Sequence, residues 1–247
     1  MFLQQLRILE GMGIADMDPT GPDFVHTVIE SFKLVSADRE KFYADPKAVD
    51  LPIETLISRE YGEARRALIG ETAMTDVIPG DIPGYDFPMD HALVDRTEIA
   101  LAPAAGAGEP TVRREAAGLK KEQRGDTCHI DIIDRWGNMV SATPSGGWLQ
   151  SSPAIPELGA ALGTRLQMCW LVEDAVSALR PGFRPRSTLS PGFAFRDGKA
   201  YMPFGTPGGD QQDQWQMLFF LHHAEQGMNL QEAIDCPAFH TEHAPLS

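Results

Sequence analysis

The chain has 247 residues, 43% of them hydrophobic, enough to bury the core of one or two domains. Its formal net charge of -14 excludes nucleic acid as a partner, because phosphate binding needs a basic surface. The longest apolar runs, such as 217–221, are far too short to span a bilayer, and Cys128, Cys169 and Cys236 show neither metal-site spacing nor an even-numbered framework. No membrane, metal or cofactor is therefore expected.

In chain order, the first predicted element is a helix over residues 1–12, with Leu3, Leu6 and Leu9 on one side and Gly11 and Gly13 as stop signals. The start of the chain lacks the basic residues and apolar run of a signal peptide, which leans towards a cytoplasmic location. A longer helix is predicted from Pro22 to about Tyr43, where Val25, Val28, Ile29, Phe32 and Val35 follow the three-and-four spacing of a buried stripe. A third runs from Ser58, an N-cap candidate, to Ile69, with Gly70 closing it. All three read as scaffold. Residues 71–100 carry turn signals without a period, and residues 101–126 are rich in Ala, Gly and Pro and then charged, as in a mobile linker. The five basic residues of that segment, Arg113, Arg114, Lys120, Lys121 and Arg124, read as solvated rather than as a binding patch.

From Cys128 to Ile133 the residues alternate, Arg135 to Asn138 supply a turn, and Met139 to Thr143 return as a second strand. On a two-residue period Thr127, His129, Asp131 and Ile133 share one face, and Cys128, Ile130 and Ile132 the other, which reads as core. Thr127 leads the hairpin. A threonine hydroxyl is a poor nucleophile unless a base sits beside it, and for a strand-leading threonine its own α-amino group serves, once the Asp126–Thr127 bond is cut. His129 and Asp131 invite a triad, yet residues two apart on a strand advance about 6.5 Å, too far for a direct hydrogen bond. Cys128 points to the apolar face and reads as structural. A second hairpin is predicted at Phe193 to Phe204 around the turn 196–199. Gly205 to Gly209 then turn into a helix that Asp210 caps, with Trp215, Leu218, Phe219 and His222 on its inner side, and a last helical stretch covers Asn229 to Ile234. His222, His223, His240 and His243 read as packing residues rather than a metal site. Strands and helices without βαβ regularity point to an α+β domain.

The run TCHIDIIDRWGNMVSAT, followed in order by RPRSTLSP, FRDGKAYMPFGTPGG and GMNLQEAIDCPAFH, resembles the small subunit of the γ-glutamyltransferase family. These are N-terminal-nucleophile hydrolases whose precursor cleaves itself before a threonine. The resemblance implies an αββα sandwich, with residues 1–100 as the end of a large-subunit-like region, 101–126 as the linker before the cleavage site, and 127–247 as a small-subunit-like catalytic region. It further implies that the two cleaved chains stay associated. By the same resemblance Thr127 is the nucleophile, Ser145 a hydroxyl residue touching it, and His129 its companion. Thr143 stands beside Ser145 at the end of the return strand. Gly208 and Gly209 form the oxyanion hole, and Ser187 and Thr188 grip the substrate carboxylate.

Two departures bear on specificity. Where the family binds the glutamyl α-amino group with amide and carboxylate side chains, this sequence has Gly147, Arg165 and Met168. Arg165 would repel an ammonium and attract an anion. The substrate is accordingly a γ-glutamyl or other acidic acyl amide, with water or an amine as acceptor. The alternatives are an acylase for a non-glutamyl acyl group and an inactive fragment. The family's precursors are roughly twice as long, so the chain reads as a fragment that is marginally folded by itself.

Overall fold

The computed structural model describes residues 1–89, 127–146, 153–163 and 165–241. The predicted linker, its basic residues, Asp126, Gly147 and His243 lie outside the described residues.

Helix α1 spans Phe2–Leu9, but its buried side is Gln4, Gln5, Ile8 and Leu9, and Leu3 is 62% exposed. Leu9 of the predicted leucine side is in the core with Leu6 packed against it, and the buried glutamines find polar partners: Gln4 Nε2 donates to Asp38 at 2.6 Å, and Gln5 Nε2 donates to the Val28 carbonyl and Ser31 Oγ. Helix α2 spans Pro22–Phe42 and starts with proline in its first turn, where a missing N–H costs nothing. Val28, Phe32 and Val35 are buried as their spacing predicts, and from Leu34 to Glu40 every residue is buried. A helix buried all round with charges in it needs a partner for each one. Asp38 accepts from Arg65, Gln4, Tyr61 and the Gly80 N–H. The single turn α3, Ile53–Leu56, has no sequence signal, while α4, Arg59–Arg66, begins as expected with Ser58 Oγ accepting from the Tyr61 N–H.

The described strands form three antiparallel pairs: β1 (Ile130–Ile133) with β2 (Met139–Ala142), β3 (Ala154–Ile155) with β4 (Ala160–Ala161), and β5 (Gly192–Arg196) with β6 (Lys199–Phe204). The chain is thus mixed α+β. Asp134 builds the first turn, its carboxylate accepting from the Trp136 and Asn138 N–H groups and from Asn138 Nδ2. The second turn uses positive φ at Asp197 and Gly198, the conformation that suits the twist of a two-residue hairpin. One expectation is overturned here. Ile130 and Ile132, predicted as core, are 51% and 55% exposed, Val140 opposite them is 52% exposed, and Cys128 is exposed as well. Among the described residues no second layer covers that face, so alternation set its direction correctly but not its burial.

Helix α5, Gln212–Ala224, follows a 3-10 turn at Gly209–Gln211, and α6 spans Leu230–Asp235 behind a capping box of Asn229 and Glu232. Asp210 does not cap α5; its carboxylate accepts from Arg39 and Arg186 instead. Of the inner-side residues predicted for α5, Leu218 and His222 are buried, while Trp215 and Phe219 are half-buried and Met217 and Leu221 go deepest. Met217, Leu218 and Leu221 share one core with Leu9, Ile14, Phe24 and Val28. The helices before residue 90 and α5 after residue 210 therefore pack as one unit.

Candidate active site

The register of β1 against β2 pairs Ile130 with Ala142 and Asp131 with Ser141, and the Cys128 N–H extends the ladder by donating to the Pro144 carbonyl at 3.2 Å. Continued outward, the same register sets His129 opposite Thr143 and Thr127 opposite Ser145, all on one face. The side chains meet as that register requires. Thr127 Oγ1 and Ser145 Oγ are 2.6 Å apart, and His129 Nδ1 lies 2.8 Å from Thr143 Oγ1. His129 Nε2 also lies 2.8 Å from Asp131 Oδ2. This corrects the spacing argument: the backbone advance between the two residues is bridged by the reach of a long imidazole towards a carboxylate. With a neutral ring, Nε2 donates to Asp131 and Nδ1 accepts from the Thr143 hydroxyl. Both ring nitrogens are engaged, one with Thr143 and one with Asp131.

Strand β6 runs into the same corner. Ser141 Oγ donates to the Phe204 carbonyl at 3.3 Å, and a Cβ added to Gly205 would meet His129 Cε1 at 2.3 Å. The turn that follows needs its glycines: Gly208 has φ 137° and Gly209 φ 55°, and a Cβ on Gly208 would sit 2.4 Å from Trp215 Cζ3. A backbone turn without side chains at the head of a helix offers N–H groups to an anion.

Before that turn lies the loop of Ser187 and Thr188. Ser187 is exposed and its Oγ accepts from the Leu189 N–H at 3.1 Å. Thr188 is 4% exposed, and its Oγ1 has no hydrogen-bond partner among the described residues. A buried hydroxyl in that state is a feature that calls for a reason. Arg165 opens a 3-10 turn, Arg165–Met168, with Nε and Nη1 buried, and Met168 at its end is fully buried in the core. The histidines sit in packing contacts: His222 Nδ1 is 2.8 Å from Gln226 Oε1, His223 Nδ1 is 2.7 Å from the Met228 carbonyl, and His240 meets Trp215 edge-on.

Sequence reasoning missed one group altogether. Arg39, Glu40, Arg186 and Asp210 form an ion cluster beside these loops, buried at Arg39 and Glu40 and half-buried at Arg186 and Asp210. Its one sequence signal is the position of Arg186 and Asp210, directly next to Ser187 and Gly209.

The mixed α+β architecture is shared with solved acylases: the chain superposes on the cephalosporin acylase from Bacillus halodurans with a TM-score of 0.69 and 26% identity, covering 95% of this chain and 35% of that one. It matches LmbA2991T421A with a TM-score of 0.79 and 45% identity, covering 100% of this chain and 39% of that one. The chain belongs to the gamma-glutamyltranspeptidase family, whose model matches residues 1–247. Curated relatives include the glutathione hydrolase proenzyme of Pseudomonas sp. (strain A14), 27% identical over 98% of this chain and 38% of that protein. They also include the acylase ACY 1 proenzyme of Pseudomonas sp. (strain SE83), 27% identical over 97% of this chain and 36% of that protein. The chain thus spans well under half the length of the curated relatives it matches.

Proposed function

We propose that the full-length protein is a self-processing amide hydrolase or acyltransferase of the N-terminal-nucleophile type, with Thr127 as its nucleophile. The observation that carries this reading is the 2.6 Å contact between Thr127 Oγ1 and Ser145 Oγ at the head of the β1–β2 hairpin. In maturation the Thr127 hydroxyl adds to the Asp126 carbonyl, the C–N bond breaks as the ester forms and frees the α-amine of Thr127, and water then hydrolyses the ester to give the Asp126 carboxylate and restore the Thr127 hydroxyl. In turnover that amine takes the hydroxyl proton as Oγ1 attacks an acyl amide, and the N–H groups of Gly208 and Gly209 hold the oxyanion. The leaving amine departs with the proton, and water or an amine acceptor cleaves the acyl ester. Ser145 orients the nucleophile, and His129 and Thr143 fix the strand ends beneath it. The names of the relatives, glutathione hydrolase and acylase proenzymes, support both the chemistry and the processing. The finer architecture belongs to the same reading: an αββα sandwich would lay a second sheet on the exposed face of Ile130, Ile132 and Val140. Residues 1–100 and 127–247 are then the two associated portions of the mature enzyme.

Ser187 and Thr188 are proposed to bind the substrate carboxylate, which supplies the partner that Thr188 Oγ1 lacks. γ-Glutamyl amides are the first substrate class to test. A second reading, an amine-free acidic acyl group such as glutaryl, is favoured by Arg165, which the family resemblance sets in register with a residue that binds the substrate ammonium and which would repel that ammonium. Thr127→Ala in the full-length protein should leave one uncleaved chain by intact mass and no amidase activity. A variant that still cleaves and turns over removes threonine from the mechanism. Arg165→Gln should lower the kcat/KM ratio of glutaryl over γ-glutamyl anilide by about tenfold, the size of one charge-assisted hydrogen bond. An unchanged ratio places Arg165 outside the acyl pocket.

A further inference from the structure

Three loops of the proposed site come from distant parts of the sequence; two are bonded directly to neighbouring residues of α2, and the third reaches α2 through Asp210. Arg39 Nη1 donates to Asp210 Oδ1 at 3.2 Å, and Asp210 follows Gly208 and Gly209 directly. Asp210 in turn accepts from Arg186 through Nη1 at 3.1 Å and Nη2 at 3.3 Å, and Arg186 directly precedes Ser187 and Thr188. Glu40 completes the set: its Oε1 accepts from Arg39 Nε at 2.7 Å, and its Oε2 accepts from Trp170 Nε1 at 3.0 Å, just past the Arg165–Met168 turn. Arg39 and Glu40 are 4% and 5% exposed, so their mutual pair is made away from water, while Asp210 is partly open to it. Two guanidinium groups face the carboxylates of Glu40 and Asp210, and Asp213 adds a third carboxylate that acts on Arg39 and Asp210. Such a group fixes geometry, because every member is needed to offset the others and a planar guanidinium bonds only in set directions. Burial would lower the pKa of Arg39, but Glu40 and Asp210 raise it above the usual value and keep it charged.

We infer that Arg39 and Glu40 are positioning residues for catalysis: from the helix upstream of the proposed cleavage site they lock the oxyanion turn, the carboxylate loop and the Arg165 turn into one register. They touch no substrate. The inference rests on the functional reading above for what those loops do, but not for the clamp itself. It also explains why the second half of α2 is buried on every side with charges in it. In mature enzyme, the chain before the cut then still controls the geometry of the chain after it.

The test is the double variant Arg39→Gln/Glu40→Gln in the full-length protein, which removes one charge of each sign and leaves the Arg186–Asp210 pair balanced. Amide exchange in 186–190 and 208–212 should speed up about tenfold or more, while β1 and β2 exchange as in wild type. On γ-glutamyl or glutaryl p-nitroanilide, whichever the wild type cleaves faster, kcat should fall about 100-fold, as expected for misplacement of a group by about 1 Å, with KM within threefold. Arg39→Lys, which keeps the charge but not the fork, serves if the double variant does not fold, and should show the same kcat-over-KM pattern at about a third to a tenth of the size. Unchanged exchange in both segments, or kcat within twofold of wild type for a folded variant, overturns the clamp. Activity surviving in Thr127→Ala would instead sink the catalytic reading and leave the exchange result standing.

Discussion

The helices before residue 90 and the strands after residue 126 distribute their polarity in opposite ways. Helix α2 buries Glu30, Asp38, Arg39 and Glu40, each with hydrogen-bonding partners, whereas β1, β2 and β5 expose Ile130, Ile132, Val140, Phe193 and Phe195. A polar interior and an apolar exterior in one chain both signal contacts beyond ordinary self-burial. The helical part has turned its charges inward to hold distant loops, and the strand part presents a face that an additional layer would cover. Stability should therefore depend on ions in the first region and on a covering partner in the second.

That contrast can be broken most severely at Asp38. Removing it in Asp38→Ala leaves Arg65 buried without its carboxylate, and Gln4, Tyr61 and the Gly80 N–H without their acceptor. The expected loss is about 3 to 5 kcal/mol in a urea melt, as for other broken buried pairs. A loss under about 1 kcal/mol would mean that water replaces the carboxylate and that the interior is not as dry as its burial indicates.

The exposed face offers the opposite test. Ile130→Ser together with Ile132→Ser should cost the 247-residue chain about 1 kcal/mol or less, as surface substitutions do. In the full-length protein the same pair should cost several kcal/mol, because each isoleucine would then leave a covered site. Equal costs in the two forms would dissolve the distinction between the regions.

A smaller effect belongs to the joint between them, where Asp45 at the end of α2 accepts from the Arg184 backbone N–H and side chain. The Arg184 hydrogen bonds hold the Asp45 carboxyl well below the usual carboxylate range. Because the folded value lies below the unfolded one, the stabilisation is fully present above about pH 4 and declines as pH falls further. Asp45→Asn should lower Tm slightly at pH 7, and the deficit should shrink steadily as pH falls below about 4. An equal drop at every pH would assign the effect to shape and not to charge.

The sequence makes the hairpin geometry readable because its information is local. Asp134 to Asn138 fix the turn, alternation fixes the faces, and the resulting register alone sets Thr127 against Ser145 and His129 against Thr143. Helices α1, α2 and α4 are legible for the same reason, through proline, serine and glycine punctuation, whereas the single turn α3 is not. What escapes is decided at a distance. Gln4 is buried because its partner Asp38 lies 34 residues on, and Asp210 abandons the helix cap for Arg39, 171 residues away. No local pattern marks a partner that far off. The burial of Ile130 and Ile132 failed differently: their periodicity is sound, but a pattern states which way a side chain points and not whether anything lies there.

The proposed chemistry turns on the Thr127 hydroxyl, and the most direct test is to find the acyl group itself. The full-length protein should be mixed with a slow ester of the preferred acyl group, quenched in acid within one turnover, digested and analysed by mass. The acyl mass is expected on the peptide that begins at Thr127, as an ester on Oγ1 that mild base removes, with the α-amine of that peptide free. Acyl mass on Ser145 or Cys128, or a peptide that still runs through Asp126 in active protein, would contradict the account.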